Sequence, residues 1–218
     1  GDVGVLASAP GYQSVQFALS ALAPGGSGSG VSLTAASTPS IGTTGFDSAP
    51  LIVLLSNGGS AVAGAAVTWQ IVSGDATLLQ SNTTTNVSGR AQTTVHFGEN
   101  AGAVMVRAEH LVNLNSTPLG VDFNLSAGDP SMEIVSGDLQ TGAVGTAFDH
   151  PIVFRLRYAD GSGIGSQPLS FAIDGDATVL NPAVTTDTSG SASVQLRFGT
   201  SAGHVGIDAI ALSGRAKV

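Results

Sequence analysis

Gly74–Ala108 reads GDATLLQSNTTTNVSGRAQTTVHFGENAGAVMVRA, and Gly175–Ala209 reads GDATVLNPAVTTDTSGSASVQLRFGTSAGHVGIDA. The second stretch starts 101 residues after the first (175 − 74), aligns without a gap, and is identical at 16 of 35 positions. A fixed internal repeat means one structural unit copied in tandem, and it decides the architecture before any single motif does. Gly1–Ala7 overlays the end of both copies, Gly102–Ala108 and Gly203–Ala209. The 218 residues therefore divide into a fragment and two fuller units, each of about 100 residues, a common domain size.

Within each copy the pattern is that of strands. Ala91, Thr93, Val95 and Phe97 alternate after the Ser88-Gly89 turn, and Ala192, Val194, Leu196 and Phe198 repeat the pattern after Gly190. Alternation with a period of two puts such residues on one face of a strand. Working outward, Val31–Ala35, Pro50–Ser56 and Val67–Ile71 read as strands, the last with Trp69 inward. Ala76–Leu79 and Thr83–Val87 follow, and then strands centred on Val104–Ala108 and Val121–Leu125. The second unit repeats the order through Ile152–Tyr158, Leu169–Ile173 and Val205–Ala209, with Phe171 taking the place of Trp69 after a one-residue slip. No stretch carries a helical period. Seven or eight short strands per repeat, punctuated by Gly, Asn and Asp, predict an all-β chain of tandem Ig-like antiparallel β-sandwiches.

Four segments are expected: residues 1–23 as the terminal hairpin of a preceding repeat, turning at Pro10-Gly11; 24–30 as a Gly/Ser linker; 31–128 as sandwich A; and 129–218 as sandwich B, its last hairpin truncated. Beginning and ending in mid-repeat, the sequence reads as a piece of a longer protein, so an export signal is not expected within it.

Composition excludes several functions. A net charge of −8 with a single lysine, Lys217, does not suit a phosphate backbone, which needs clustered Lys and Arg. The chain has no cysteine, which rules out disulfides, thiolate metal sites and cysteine nucleophiles. No apolar run approaches the ~20 residues of a membrane-spanning helix.

At this point the motifs resemble a family. Thr186-Asp187-Thr188-Ser189-Gly190-Ser191-Ala192 and Gly203-His204-Val205-Gly206-Ile207-Asp208-Ala209 are similar to the turn and strand signatures of bacterial immunoglobulin-like repeats of the invasin/intimin type. The first copy departs from the turn signature in having Asn86 where Asp187 stands. The resemblance implies an extracellular or cell-surface bacterial protein whose repeats space or present a binding end. Its partners would be neighbouring repeats of the same protein.

Candidate sites are few. Asp129, Glu133 and Asp138 near the boundary, and Asp174 with Asp176, are the weak candidates for calcium. Neither group has the loop pattern or the 6–8 oxygens that calcium takes, and Asp176 with its counterpart Asp75 suits a turn role instead. No metal or other cofactor is expected. His96, His110, His150 and His204 show no zinc spacing and read as surface residues. Asn82, Asn86, Asn115 and Asn124 head N-x-Ser/Thr triplets, which a Ser/Thr-rich chain produces by chance. No nucleophile elbow or facing carboxylate pair suggests an enzyme. Ile52 and Leu54 point outward from a strand whose Leu51, Val53 and Leu55 point inward, which makes them either an interface or a face covered by a neighbouring segment.

The function expected is that of non-enzymatic spacer or stalk repeats. The alternatives are an adhesion module recognising a protein or glycan, and accessory domains of a larger secreted enzyme. Self-association through the 1–23 hairpin is a separate expectation, because a hairpin apart from its own unit leaves open edges.

Overall fold

A computed structural model describes the backbone of residues 2–7 and 15–20 and all of 30–113 and 116–218. The expected Pro10-Gly11 turn, the linker up to Ser29 and the Asn115 triplet lie at least partly outside the described residues.

The strands follow in order. Asp2–Ala7 (β1) and Val15–Ser20 (β2) pair antiparallel. The first repeat contains Val31–Ala35 (β3), Ile41–Thr43 (β4), Leu51–Asn57 (β5), Ser60–Ala61 (β6), Ala66–Ser73 (β7), Ala76–Leu78 (β8), Asn82–Thr84 (β9), Arg90–Thr93 (β10), Val95–Phe97 (β11), Gly102–His110 (β12) and Leu119–Gly128 (β13). The second contains Ser131–Ser136 (β14), Ile152–Arg157 (β15), Pro168–Asp174 (β16), Ala177–Val179 (β17), Val184–Thr185 (β18), Ser191–Val194 (β19), Leu196–Phe198 (β20), Gly206–Ala211 (β21) and Ala216–Lys217 (β22). A 3-10 turn, Leu212–Gly214, bridges the last two.

In the first repeat one sheet has the order β10-β5-β3, with β6 added at β5, and the facing sheet runs β4-β13-β12-β7-β9. The second repeat builds β14-β15-β19 against β18-β16-β21-β22. These are Ig-like sandwiches, each filled by alternate residues of both sheets. Leu51, Val53 and Leu55 of β5 pack with Val104, Val106, Val67, Trp69 and Phe97 in one core. Ile152, Phe154, Leu156, Val194 and Leu196 form the heart of another.

The repeated glycines and threonines have a structural cause. Gly89 and Gly190 sit at positive φ (72° and 78°). An added Cβ would lie 2.5 Å from the Leu55 carbonyl oxygen in one repeat and 2.1 Å from that of Leu156 in the other. Only glycine fits both the backbone conformation and the close approach. Beside each glycine lies a buried threonine. Thr85 Oγ1 accepts from Ala65 N (2.9 Å); Thr186 Oγ1 accepts from Gln167 N (3.0 Å) and donates to Ile164 O (2.7 Å). Asn86 Oδ1 accepts from the Ser88 and Arg90 amides, as Asp187 Oδ1 does from those of Ser189 and Ser191, so the Asn/Asp difference leaves the turn unchanged.

Three details depart from the expected strands. The expected single strand over 91–97 is two, because the chain leaves β5 after Thr93 and pairs with β8 from Val95; the inward alternation continues across the break. The segment 192–198 divides the same way between β15 and β17. Strand β4, too short for its pattern to show, pairs parallel with the end of β13. The one-residue slip between Trp69 and Phe171 is a β-bulge: Ser73 faces Met105 while Ile71 faces Val106, leaving Val72 over, whereas Ile173 and Asp174 face Ile207 and Gly206 in unbroken register.

Candidate functional site

The acidic candidates are spread apart. Asp129 Oδ1 accepts from Thr44 Oγ1 (2.9 Å), Glu133 pairs with Arg157 (2.5 Å), and Asp138 accepts from the amide of Leu139 (2.7 Å). Asp174 ends β16, exposed and opposite Gly206. Asp176 turns back on its own loop: its Oδ2 accepts from Ser201 N (2.8 Å) and its carbonyl from Gly199 N (2.7 Å). Asp75 makes the matching bonds to Asn100 and Gly98. Amide donors hold both carboxyls below the usual aspartate range, Ser201 N for Asp176 and Asn100 N for Asp75. Among the described residues, no three His, Asp or Glu side chains converge as metal ligands.

The histidines are separate as well. His96 Nδ1 lies 2.7 Å from Asp47, and His110 Nδ1 donates to the Ala66 carbonyl (2.8 Å). Ile52 and Leu54 project from the outer face of β5 and are half-buried. Their direct neighbours on β10 are Gln92 and Arg90, and Thr34 of β3 lies beside Leu54, so polar side chains border the apolar pair on both sides.

What the structure does bring together is a joint between the repeats. Strand β13 ends at Gly128 and β14 starts at Ser131, leaving two connecting residues, of which Pro130 is buried. Beside them Thr43, the last residue of β4, and Thr44, in the turn after it, are both buried. Thr43 Oγ1 accepts from Ala159 N (2.9 Å) of the second repeat. Thr44 N donates to Gly128 O (2.9 Å), and Thr44 Oγ1 donates to Asp129 while accepting from Arg215 Nη2 (2.6 Å). Arg215 Nε then reaches Glu99 (3.0 Å). Each buried hydroxyl is thus partnered, and the charge-assisted bonds end on carboxylates at both sides. Phe46 meets Tyr158 edge-to-face at 5.0 Å and adds an apolar contact. Gly45 (φ 73°) clears the way for the guanidinium, since a Cβ there would lie 1.8 Å from Arg215 Nη1.

Of these residues the sequence reading marks only the boundary Gly128-Asp129-Pro130, with Asp129 as a calcium candidate, and names neither Thr44 nor Arg215. Thr44 and Arg215 are 171 positions apart, and no local pattern connects them. One signal was present: Gly42-Thr43-Thr44-Gly45 has its counterpart in Gly142-Ala143-Val144-Gly145, where both threonines are lost. Polar residues in one copy only, inside an otherwise shared motif, mark a contact that only that copy makes.

No family model matches the sequence, and no curated protein matches it. Among solved structures the chain is similar to the D0-D1 domain of intimin, at 22% identity over 86% of this chain and 94% of that one, with a TM-score of 0.38. It is similar to invasin, a bacterial integrin-binding protein, at 16% identity over 86% of this chain and 38% of that one, TM-score 0.36. It is also similar to trypsin-activated alpha-2-macroglobulin from Escherichia coli, at 12% identity over 94% of this chain and 18% of that one, TM-score 0.40. The likeness is one of fold.

Proposed function

We propose that the chain is a non-enzymatic spacer, a pair of Ig-like sandwiches in the stalk of a bacterial cell-surface or secreted adhesin-like protein. The observation that carries this reading is the joint. A spacer must hold a fixed direction from one repeat to the next, and a two-residue connection with buried Pro130 leaves little freedom. The Asp129–Thr44–Arg215–Glu99 chain and the Phe46–Tyr158 contact oppose bending from two sides. The resemblance of the turn and strand motifs to invasin/intimin-type repeats supports the bacterial surface setting, with neighbouring repeats as partners. On this reading residues 31–128 and 129–218 are the two bricks, and Asp129 belongs to their mortar as a hydrogen-bond acceptor.

Small-angle scattering on the full chain tests the reading. The expected result is an elongated particle whose dimensions do not change with added calcium. Thr44→Val, which keeps the side-chain shape but removes the hydroxyl, should broaden the distribution of interatomic distances while leaving both sandwiches folded. A compact particle, a calcium-induced change, or no response to Thr44→Val would each sink the proposal.

A further inference from the structure

Along one side of the first repeat the edges of its two sheets lie next to each other. Strand β10 is the outer strand of one sheet and β9 that of the other, and the turn over residues 85–89 carries the chain between them. Beside these edges runs a cleft of about 680 Å³, lined by Ile52, Gln80, Asn82, Thr84, Arg90 and Gln92, among others. Asn86 and Arg90 border both this cleft and a neighbouring hollow of about 520 Å³ that includes Leu54 and Ser56. The half-buried Ile52 and Leu54 of β5 thus belong to one hollow each. No Asp or Glu lines either. Arg90 is exposed and has no carboxylate partner among the described residues, whereas Arg107, Arg157 and Arg215 each have one.

The second repeat has the same frame here and different side chains. At the offset of 101, Gln80, Asn82, Asn86, Arg90 and Gln92 correspond to Asn181, Ala183, Asp187, Ser191 and Ser193. Four of the changes shorten the side chain, and the fifth sets an acid where the first repeat has an amide. Asn181 is also fully engaged. Its Nδ2 donates to Ser193 O (3.2 Å) and its Oδ1 accepts from Gln195 N (2.7 Å), which ties the segment before β18 to the end of β19. In the first repeat Thr93 Oγ1 donates to the main-chain carbonyl of Gln80 (2.7 Å). The exposed carboxamides of Gln80 and Gln92 have no hydrogen-bond partner among the described residues. Asn86 keeps its Oδ1 on the Ser88 and Arg90 amides, which leaves Nδ2 as a further donor at the cleft.

We propose that this cleft binds a saccharide that carries a carboxylate, a role beyond that of a spacer. A carboxamide presents both a donor and an acceptor, as a sugar hydroxyl does, and Gln80, Asn86 and Gln92 set such groups around one space. The planar guanidinium of Arg90 matches a carboxylate with two parallel, charge-assisted bonds. With no acid in the lining, its charge is uncompensated locally in a chain of net charge −8, so an anion is drawn to this place. Ile52 offers the C–H face of a sugar ring an apolar contact. The volume falls within the roughly 300–1,000 Å³ of small-ligand sites. An acidic peptide fits less well. Added as a strand beside β10, it would need pockets for alternate side chains, and Ile52 is the one large apolar side chain in the lining.

Titration of the intact, isotope-labelled chain, followed by amide NMR, tests this. The probes are sialyllactose and trigalacturonate, with lactose as the neutral control and hexaglutamate as the acidic peptide. At least one acidic saccharide should shift the amides of Gln80, Arg90 and Gln92 at millimolar concentration, and the relative affinity of the two tells a sialic acid from a uronic acid. Lactose should bind about tenfold more weakly, the loss expected when a charge-assisted bond is absent. Arg90→Gln should weaken the acidic saccharide by a similar factor and leave unfolding unchanged, because the side chain is exposed and unpaired. Gln92→Ala should weaken binding of both saccharide types. Failure of both acidic saccharides to bind overturns the proposal. So does lactose or hexaglutamate binding as tightly, a set of shifts confined to the second repeat, or undiminished binding by Arg90→Gln. None of these outcomes bears on the joint, which the Thr44→Val scattering experiment tests separately.

Discussion

Phe97 is fully buried in the first repeat, while its counterpart Phe198 is half covered in the second, although β11 and β20 have the same length and the same pairing to β8 and β17. The shared motif therefore sets local geometry in both copies without setting burial. Burial is set by what packs on the motif from outside the repeated stretch. The reverse holds at the joint. Thr43 and Thr44 are buried against the second repeat, whereas the matching loop of the second repeat presents Ala143 and the half-exposed Val144. Identical frames thus carry different ends, and the ends decide what each repeat touches.

The glycine of the shared turn gives the largest test of the common frame. Gly190→Ala combines a left-handed backbone with a Cβ 2.1 Å from a carbonyl oxygen, while Gly58→Ala has the same sign of φ (57°) and nothing within 4 Å. Gly190→Ala should cost about 3 kcal/mol, and Gly89→Ala nearly as much, against about 1 kcal/mol for Gly58→Ala. Chemical denaturation of the three variants measures this. Equal losses would mean that backbone conformation alone, and not the close approach, explains the glycine.

A smaller effect is expected from removing the bulge. Deleting Val72 should bring β7 into the unbroken register that β16 already has, with Ser73 still facing Met105 as Asp174 faces Gly206. Val72 is 46% exposed, so little apolar burial is lost, and the cost should stay below about 1 kcal/mol. A deletion that unfolds the first repeat would show that the bulge is required by Trp69, whose Nε1 donates to Thr83 Oγ1 (2.8 Å), with Phe171 in its place in the second repeat.

Much of this frame was legible in the sequence because it is local. Period-two patterning placed the core strands, and the turn Thr-Asn/Asp-x-x-Gly announced its own geometry through residues within five positions of one another. Even the slip at Trp69/Phe171 could be read, as an offset of 102 there against 101 along Gly74–Ala108, though not its cause, the bulge at Val72. The joint could not be read, because Thr44, Glu99, Asp129 and Arg215 meet only after both repeats have folded. Strand β4 was missed for a related reason: three residues give no periodicity, and its parallel partner lies more than 80 positions away. Ile52 and Leu54 share the outer face of β5, but the polar neighbours that border them belong to other strands and are not legible locally.

The smallest predicted effect comes from the Asn86/Asp187 difference inside the shared turn. The Asp187 carboxylate accepts from Ser189 Oγ and from the Ser191 and Ser189 amides, which hold its pKa below the ordinary aspartate value. A group whose folded pKa is depressed contributes stability above its unfolded pKa of about 3.9, and that contribution is lost as pH falls through the folded value. Asn86 makes the matching amide bonds without a titrating group. Acidification from neutral pH to below 3.9 should therefore loosen the second repeat's turn and leave the first's intact. Asp187→Asn should reduce the acid-induced drop in stability, and Asn86→Asp should add to it. Because the group is exposed, both changes will be small, so amide exchange at Ser189 and Ser191, compared with Ser88 and Arg90, is the measurement that resolves them. Equal acid sensitivity of the two turns would show that the bonds to the serines, and not the charge on the acceptor, hold the turn in both repeats.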